Sequence, residues 1–378
     1  MNGYLILIHV GFFVAALVFS LTINGLLLKF SKTLGIRNNP ETIIRWSSTS
    51  KPALGGISFY IIFLFSLIGL SFLKTEPTGF FNLQTMGGLA AASLGFLIGL
   101  YDDAYNTHPW LKFAGQVICA LLLIFSGTYI QFFGPEWLNY LLTIFWVVGI
   151  MNSINMLDNM DGITSIVSAG IMLAVLGIIA LTGDFSDPVI TILMGGLASL
   201  IGFLYYNWNP SKMYMGDTGS QFLGIFLAGL GIIYFWNGTG FEAEPNRLVK
   251  VLSVAMAFSL PLIDTTTVFY KRISKGGSPF VGGKDHTTHH LSYLGMNDRK
   301  VAIFFMIFSL ISAGFTIWIT SLSGNWKPLY SYLFIAYLSA LFLFLFVVAL
   351  KPSPAILKID AKQQPESGII NIGKVINP

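Results

Sequence analysis

The chain has 378 residues, of which 54% are hydrophobic and only 10% are charged, and its formal net charge is +4. Soluble globular proteins carry about 25% charged residues, so the composition excludes an ordinary soluble protein. The mean hydropathy of +0.72 indicates a chain that crosses a membrane many times. The single cysteine, Cys119, can form no disulfide within the chain and belongs to no cysteine metal motif. We therefore expect an all-α, polytopic integral membrane protein with membrane lipid around it and no nucleic-acid partner.

A membrane-spanning helix needs about 20 mostly apolar residues, and by this measure the sequence predicts about eleven such helices. In chain order they cover residues 3–28, 53–73, 84–101, 113–132, 137–156, 163–182, 188–206, 219–236, 249–270, 301–322 and 329–350. We expect residues 1–350 to form one transmembrane domain and residues 351–378 to form a polar tail.

The distribution of basic residues predicts the orientation of these helices. With the N-terminus outside, 17 of the 21 lysines and arginines lie on the cytoplasmic side, and only Lys74, Arg247, Lys250 and Lys327 lie outside. Cytoplasmic loops of membrane proteins carry such an excess. The same orientation places the tail and every acidic cluster described below at the cytoplasmic face.

Two adjacent acids, Asp102 and Asp103, stand where the third apolar segment ends, and Lys112 follows them. Charges beside a bilayer are costly and are usually retained for a function. Adjacent carboxylates can bind a divalent cation, or one of them can act as a general base. The alternative is a solvated helix end without a chemical role.

A second polar motif follows the fifth segment, where Asn152, Asn155, Asp158 and Asp161 are spaced three residues apart. On a helix this spacing places side chains on roughly one face, so the motif predicts four polar groups directed at one place. A polar loop is the alternative, because Asn and Asp are common turn residues.

Asp217 lies at the predicted start of the eighth helix, between Gly216 and Gly219. Glycines allow the backbone to approach a bound phosphate or metal closely, and a helix N-terminus favours anions. Asp217 could instead serve only as a helix N-cap.

The loop after the ninth segment contains His286, His289 and His290. Zinc binding is conceivable there, but the other candidate ligands are hard oxygens, which suit magnesium better. The histidines and Lys284 could also hold a pyrophosphate or contact anionic lipid. Asp264, inside the ninth segment, either belongs to a functional site or pairs with a basic neighbour to orient its helix.

Taken in order, these motifs resemble the polyprenyl-phosphate N-acetylhexosamine-1-phosphate transferases, also grouped as glycosyltransferase family 4. The resemblance runs from about Lys51 to Leu291. It implies an enzyme that uses Mg²⁺, with Mn²⁺ as a substitute, to transfer a sugar-1-phosphate from a UDP-N-acetylhexosamine to undecaprenyl phosphate and to release UMP. It also implies a bacterial inner-membrane location with the active site facing the cytoplasm, and it is compatible with a homodimer.

The resemblance also implies roles for the acidic residues. Asp217 matches the principal magnesium ligand. Asp102 matches the acid that activates the lipid phosphate and is a second candidate metal ligand, and Asp103 is its required neighbour. Asp158 and Asp161 match acids of the nucleotide-sugar pocket.

Other positions match residues that bind the substrates. Asn207 and Tyr214 fall where the family contacts uracil, Lys112 falls where a basic residue faces phosphate, and His286 lies in the loop that closes the site. The full set expected to bind substrates is Lys51, Lys112, Asn152, Asn155, Asn207, Tyr214, Arg272, His289 and His290.

The histidine loop reads His286-Thr-Thr-His289-His290, which resembles the branch that starts O-antigen, common-antigen and teichoic-acid glycans. This favours a UDP-N-acetylglucosamine-like donor over the phospho-N-acetylmuramoyl-pentapeptide donor of the peptidoglycan branch, which is the alternative. A histidine common before the second helix in the favoured branch is replaced around Thr49. Two alternatives of other classes are an ion-coupled transporter, disfavoured because no internal repeat is seen, and a CDP-alcohol phosphotransferase, whose acidic motif is missing.

Overall fold

The computed structural model describes residues 2–31, 51–73, 82–238, 246–278 and 282–351. Within these ranges the chain is helical, and its β-structure is limited to an isolated bridge between Ala53 and Tyr214. The helices are α1 Asn2–Phe30, α2 Gly55–Leu73, α3 Leu83–Tyr105, α4 Pro109–Phe125, α5 Glu136–Leu157, α6 Ile163–Thr182, α7 Val189–Asn207, α8 Gly216–Leu230, α9 Arg247–Ala257, α10 Ser259–Ser274, α11 Thr287–Tyr293, α12 Asp298–Ser321 and α13 Pro328–Leu350. A π-helical turn, Gly231–Trp236, continues α8, and a 3₁₀ turn, Ser323–Asn325, precedes α13.

Eight helices of the described ranges are long and apolar enough to cross a membrane, and the number is nine if the bent pair of α9 and α10 is counted as one span. α2 and α4 contain shorter apolar stretches. Each predicted segment thus coincides with an apolar helix or with this bent pair, and an all-α, multi-pass membrane protein is confirmed. Thr49 and the tail from residue 352 onward lie outside the described residues.

The ninth predicted span, 249–270, is not one straight helix. The chain bends by 79° between α9 and α10. Pro261 explains the break, because it has no N–H to donate to the carbonyl of Ala257, where α9 ends. The bend separates α9 from α10, which carries Asp264, Lys271 and Arg272.

The fourth predicted span, 113–132, is displaced toward the N-terminus. α4 begins at Pro109, which suits the first turn of a helix, and ends at Phe125. Gly127 then adopts a φ of +84°, a conformation that ends the helix. The apolar residues that follow are irregular rather than helical, which a hydropathy window does not distinguish.

α8 is the central helix, and 83% of the apolar stretch that it forms with the following π-helical turn is buried. It packs mainly against α3 and α5, and also against α2. Glycines allow two of these contacts to be made by backbone. A Cβ atom on Gly99 of α3 would lie 2.1 Å from the carbonyl oxygen of Asp217, and one on Gly56 of α2 would lie 2.2 Å from the amide nitrogen of Gly219.

Gly99→Ala should therefore destabilise the protein. A methyl group at this position must push α3 away from the start of α8, and overpacking of this kind costs about 1–3 kcal/mol. We expect a lower midpoint of thermal unfolding in detergent. Gly88→Ala, on the same helix with nothing within 4 Å of the added Cβ, is the matched control and should unfold like the parent. Equal midpoints for the two variants would contradict the close contact between α3 and α8.

Candidate active site

Four helices bring polar side chains to one end of the bundle. The Lys112 ammonium, from the first turn of α4, lies 2.9 Å from Asp102 Oδ2 and 2.7 Å from Asp217 Oδ2. Asn155 of α5 donates from Nδ2 to Asp217 Oδ1 at 2.8 Å and to Ser220 Oγ at 2.8 Å. Residues far apart in sequence thus share one charged centre, which we call the carboxylate cluster: Asp102, Lys112, Asn155 and Asp217.

Asp102 and Asp103 are adjacent in sequence but have different partners. Asp102 faces Lys112 and also accepts a hydrogen bond from the backbone N–H of Thr107 at 2.9 Å. The Asp103 carboxylate instead accepts three hydrogen bonds. They come from the backbone N–H of Asp217 at 3.0 Å, the backbone N–H of Thr218 at 2.9 Å and the Thr218 hydroxyl at 2.6 Å. Successive helical residues are about 100° apart around the axis, so the two carboxylates point in different directions.

Asp103 therefore caps α8 from another helix. The position before α8 is Met215, and it provides no side-chain cap. The first N–H groups of a helix have no partner within the helix, and Asp103 satisfies two of them. The alternative that Asp217 is itself only an N-cap does not describe this geometry, since its side chain faces Lys112 and Asn155.

Only part of the three-residue pattern after Asn152 is helical, because α5 ends at Leu157. Asp158 is the C-cap, and Asp161 lies in the following turn, so the expectation of four polar groups on one helical face is wrong. Burial, and then the negative charges of Asp217 and Asp103, raises the pKa of the Asp158 carboxyl to about 7. Asp158 is therefore close enough to the carboxylate cluster to respond to its charge.

Asn152 lies one turn deeper than Asn155 and belongs to a chain of amides. Its Nδ2 donates to Gln116 Oε1 at 2.8 Å, and Gln116 Nε2 donates to Gln221 Oε1 at 3.0 Å. Gln116 and Gln221 are buried. This chain links α4, α5 and α8 beneath the carboxylate cluster and supports Asn155 and Asp217 from below.

Asp161 holds the loop between α7 and α8. It accepts the Ser211 hydroxyl at 2.8 Å, the Ser211 N–H at 3.0 Å and Asn209 Nδ2 at 3.0 Å. Lys51 Nζ lies 4.0 Å from the Asp161 carboxylate and 5.1 Å from the centre of the Tyr214 ring. Lys51, Asp161 and Tyr214 thus form a second group, beside the loop that leads to Asp217.

The side-chain amide of Asn207 contacts the backbone of two neighbouring loops. Its Oδ1 accepts the N–H of Gly162 at 2.8 Å, and its Nδ2 donates to the carbonyl of Met213 at 2.8 Å. The residue is 4% exposed. Asn207 thereby joins the turn after α5 to the loop before α8, and this is the contact the structure shows for its amide.

The expected histidine loop folds as α11 and forms a third group with α10. His286 lies against Asp264, and His290 Nε2 lies 2.6 Å from Lys271 Nζ. Arg272 forms a two-point ion pair with Asp285, at 2.8 and 2.9 Å. Burial raises the pKa of Asp285, but the hydrogen bonds and charge of Arg272 outweigh burial, and the pKa is lowered overall.

His289 and His290 are neutral at physiological pH. Burial, and then the neighbouring charge of His286, lowers the pKa of His289 to about 3. Burial, and then the Lys271 ammonium, lowers the pKa of His290 to about 4. In this structure the His290 ring contacts a protein group, the Lys271 side chain.

Several residues of these networks were not among the residues expected at the site, and Thr218, Gln221 and Lys271 are examples. Gln221 lies one helical turn after Asp217, so helical spacing could have identified it. Lys271 is adjacent to Arg272, and sequence alone does not tell which of the two is buried.

The carboxylate cluster has the donor chemistry that Mg²⁺ requires. The carboxyl groups of Asp102 and Asp217 share the Lys112 cation, which lies within 2.9 Å of one and 2.7 Å of the other. Within the described residues no three His, Cys, Asp or Glu side chains form a metal cage. Mg²⁺ is commonly held by one or two carboxylates together with substrate phosphates and water, and Asp217 and Asp102 fit that mode.

Residues 85–235 match the family model of Glycosyl transferase family 4. A probable undecaprenyl-phosphate N-acetylglucosaminyl 1-phosphate transferase of Bacillus subtilis is 26% identical over 325 residues, covering 82% of this chain and 86% of that protein. A decaprenyl-phosphate N-acetylglucosaminephosphotransferase of Mycobacterium leprae is 29% identical over 68% of this chain and 70% of its own length. A phospho-N-acetylmuramoyl-pentapeptide-transferase of Streptococcus thermophilus is 28% identical over 77% of this chain and 90% of its own length.

The matched segment contains all four members of the carboxylate cluster, together with Asp103, Asp158 and Asp161. The family and the relatives bear the names of glycosyltransferases and phosphotransferases, and both proposed branches are represented among them. Over residues 85–235 this multi-pass membrane protein is thus similar to glycosyl transferase family 4.

Proposed function

We propose that this protein transfers N-acetylglucosamine-1-phosphate, or a related N-acetylhexosamine-1-phosphate, from its UDP-sugar to undecaprenyl phosphate and releases UMP. This would be the first membrane step in the synthesis of a cell-surface polysaccharide. The observation that carries the proposal is the carboxylate cluster, in which four helices bring two carboxylates, one ammonium and one amide together at one end of the bundle. The names of the relatives support the same reaction.

In the proposed reaction an oxygen of the lipid phosphate attacks the β-phosphorus of the UDP-sugar. A new P–O bond forms, the bond from the β-phosphorus to the bridging oxygen breaks, and UMP leaves with that oxygen. The lipid product keeps a pyrophosphate linkage. Because the second pKa of a phosphate monoester is about 6, the lipid phosphate is mostly ionised at neutral pH, so little proton removal is required of the protein.

The residues of the cluster have distinct proposed roles. Mg²⁺, bound by Asp217 and Asp102, would offset the repulsion between two anionic substrates and stabilise the departing UMP. Lys112 supplies a positive charge for the phosphate of the acceptor. Asn155 orients the Asp217 carboxylate, and Asp103 fixes the backbone from which Asp217 projects.

The donor and the location are part of the proposal. The Thr287-Thr288 pair in the histidine loop supports an N-acetylglucosamine donor, while relatives that use N-acetylmuramoyl-pentapeptide keep that donor as the alternative. The distribution of basic residues supports a cytoplasmic site in a bacterial inner membrane. An ion-coupled transporter gains no support, since the acids meet at one end of the bundle and the relatives are transferases.

The experiment is a UMP-release assay with purified protein, undecaprenyl phosphate, Mg²⁺ and a panel of UDP-sugars. We expect UMP from UDP-N-acetylglucosamine or another simple UDP-N-acetylhexosamine. UMP from UDP-N-acetylmuramoyl-pentapeptide alone would reassign the donor. No UMP from any donor, in a preparation that remains folded and monodisperse, would overturn the proposal.

A further inference from the structure

The short helix α11 has no N-terminal cap of its own. His286 occupies the cap position and makes no capping hydrogen bond with its side chain. Asp264 of α10 supplies the acceptor instead. Its Oδ1 accepts the N–H of Thr287 at 2.8 Å and the Thr287 hydroxyl at 2.6 Å, and its Oδ2 lies 2.7 Å from His286 Nδ1.

Asp264 is 1% exposed, and three groups of α11 surround its carboxylate. A substrate would have to displace those groups to reach it. The structure therefore excludes direct substrate contact for Asp264 in this conformation. The partners of Asp264 are the His286 ring and the N–H and hydroxyl of Thr287, rather than the lysine and arginine of its own helix.

A second contact fastens the middle of α11 to the same face of α10. Lys271, two turns after Asp264, contacts His290 Nε2 at 2.6 Å and the backbone carbonyl of Asp285 at 3.1 Å. Lys271 is 7% exposed. α11 is thus held at its start and at its middle by buried charged groups of α10, and its position is fixed relative to that helix.

A different side of α11 contacts the donor-pocket turn, which we define as residues 158–162. Thr288 donates its hydroxyl to Asn159 Oδ1 at 2.6 Å. Asn159 lies directly after Asp158, so the hydroxyl of Thr288 is bound to the segment that carries Asp158 and Asp161.

We propose that Asp264 is a positioning residue for the donor pocket. It fixes α11, and α11 in turn holds the donor-pocket turn through Thr288 and Asn159. This inference rests on the proposed function for its effect on catalysis, whereas the mechanical link between Asp264 and the turn does not depend on it.

The test uses Asp264→Asn and Thr288→Val in the full-length protein. Thr266→Val is the matched control, because Thr266 is an exposed residue of α10 whose hydroxyl bonds only carbonyls of its own helix. The first readout is hydrogen exchange of the segment around residues 158–162. We expect faster exchange in both test variants and no change in the control.

The second readout is steady-state kinetics. Loss of the Thr288 hydrogen bond should raise KM for the UDP-sugar about fivefold, with little change in kcat or in KM for the lipid. The KM of the double variant for the UDP-sugar should be no higher than that of the more impaired single variant, because both changes act through α11. The inference would be overturned if the effects of the two substitutions on KM multiplied in the double variant. It would also be overturned if hydrogen exchange of residues 158–162 were unchanged in Asp264→Asn. Faster exchange in a protein that turns over no UDP-sugar would overturn the proposed function and leave the link intact.

Discussion

Asp217→Asn should reduce turnover by at least about a hundredfold while the protein remains folded. Asparagine keeps the size of the side chain and can still accept from Asn155, but it lacks the charge that faces Lys112 and that would hold Mg²⁺. Removing a group that stabilises charge in the transition state commonly costs a hundredfold or more. The measurement is kcat for UMP release at saturating substrate and Mg²⁺.

Asp184→Asn is a suitable control for this variant. Asp184 lies between α6 and α7 at the opposite end of the bundle, and its carboxylate accepts from Ser186. This substitution should leave kcat unchanged. Retention of activity by Asp217→Asn at saturating Mg²⁺ would show that Asp217 is not the metal ligand.

Asp103→Asn should lower both the activity and the thermal stability of the protein. One of the two acceptor oxygens becomes an NH₂ group, which would face the N–H of Asp217 or the N–H and hydroxyl of Thr218. Loss of a helix cap costs about 1 kcal/mol, and a buried donor left without a partner can raise the cost to about 3 kcal/mol. The start of α8 should shift, and Asp217 with it.

Asn82→Ala is the control that distinguishes a loss of protein stability from a displacement of Asp217. Asn82 caps α3 through the N–H of Thr85 at 2.8 Å, at the end of the helix remote from Asp103. This variant should unfold at a lower temperature yet retain kcat when it is assayed below that temperature. A kcat for Asp103→Asn equal to that of Asn82→Ala would contradict a positioning role for Asp103.

Length, composition and hydropathy were sufficient to locate the long apolar helices, because such helices differ from loops in apolar content over about 20 residues. They did not predict the short helix α11. They were not sufficient for the helix ends. The bend at Pro261 and the early end of α4 at Gly127 depend on single residues inside continuous apolar runs. A hydropathy window averages over such residues.

The members of the site could be identified from spacing and resemblance, but their contacts could not. The sequence placed Asp102 and Asp103 together, yet only the rotation of α3 determines which of them faces Lys112 and which caps α8. The partners of Asp264 come from a loop 22 and 23 residues later. Contacts between helices depend on packing, which a local pattern does not encode.

The fate of the β-phosphorus tests the central claim most directly. The purified protein would be given UDP-N-acetylglucosamine radiolabelled at the β-phosphorus, together with undecaprenyl phosphate and Mg²⁺. We predict that the label moves into the organic-extractable lipid while UMP is released unlabelled. Label that stays in the aqueous phase as UDP, with the sugar alone on the lipid, would contradict transfer of a sugar-1-phosphate by this protein.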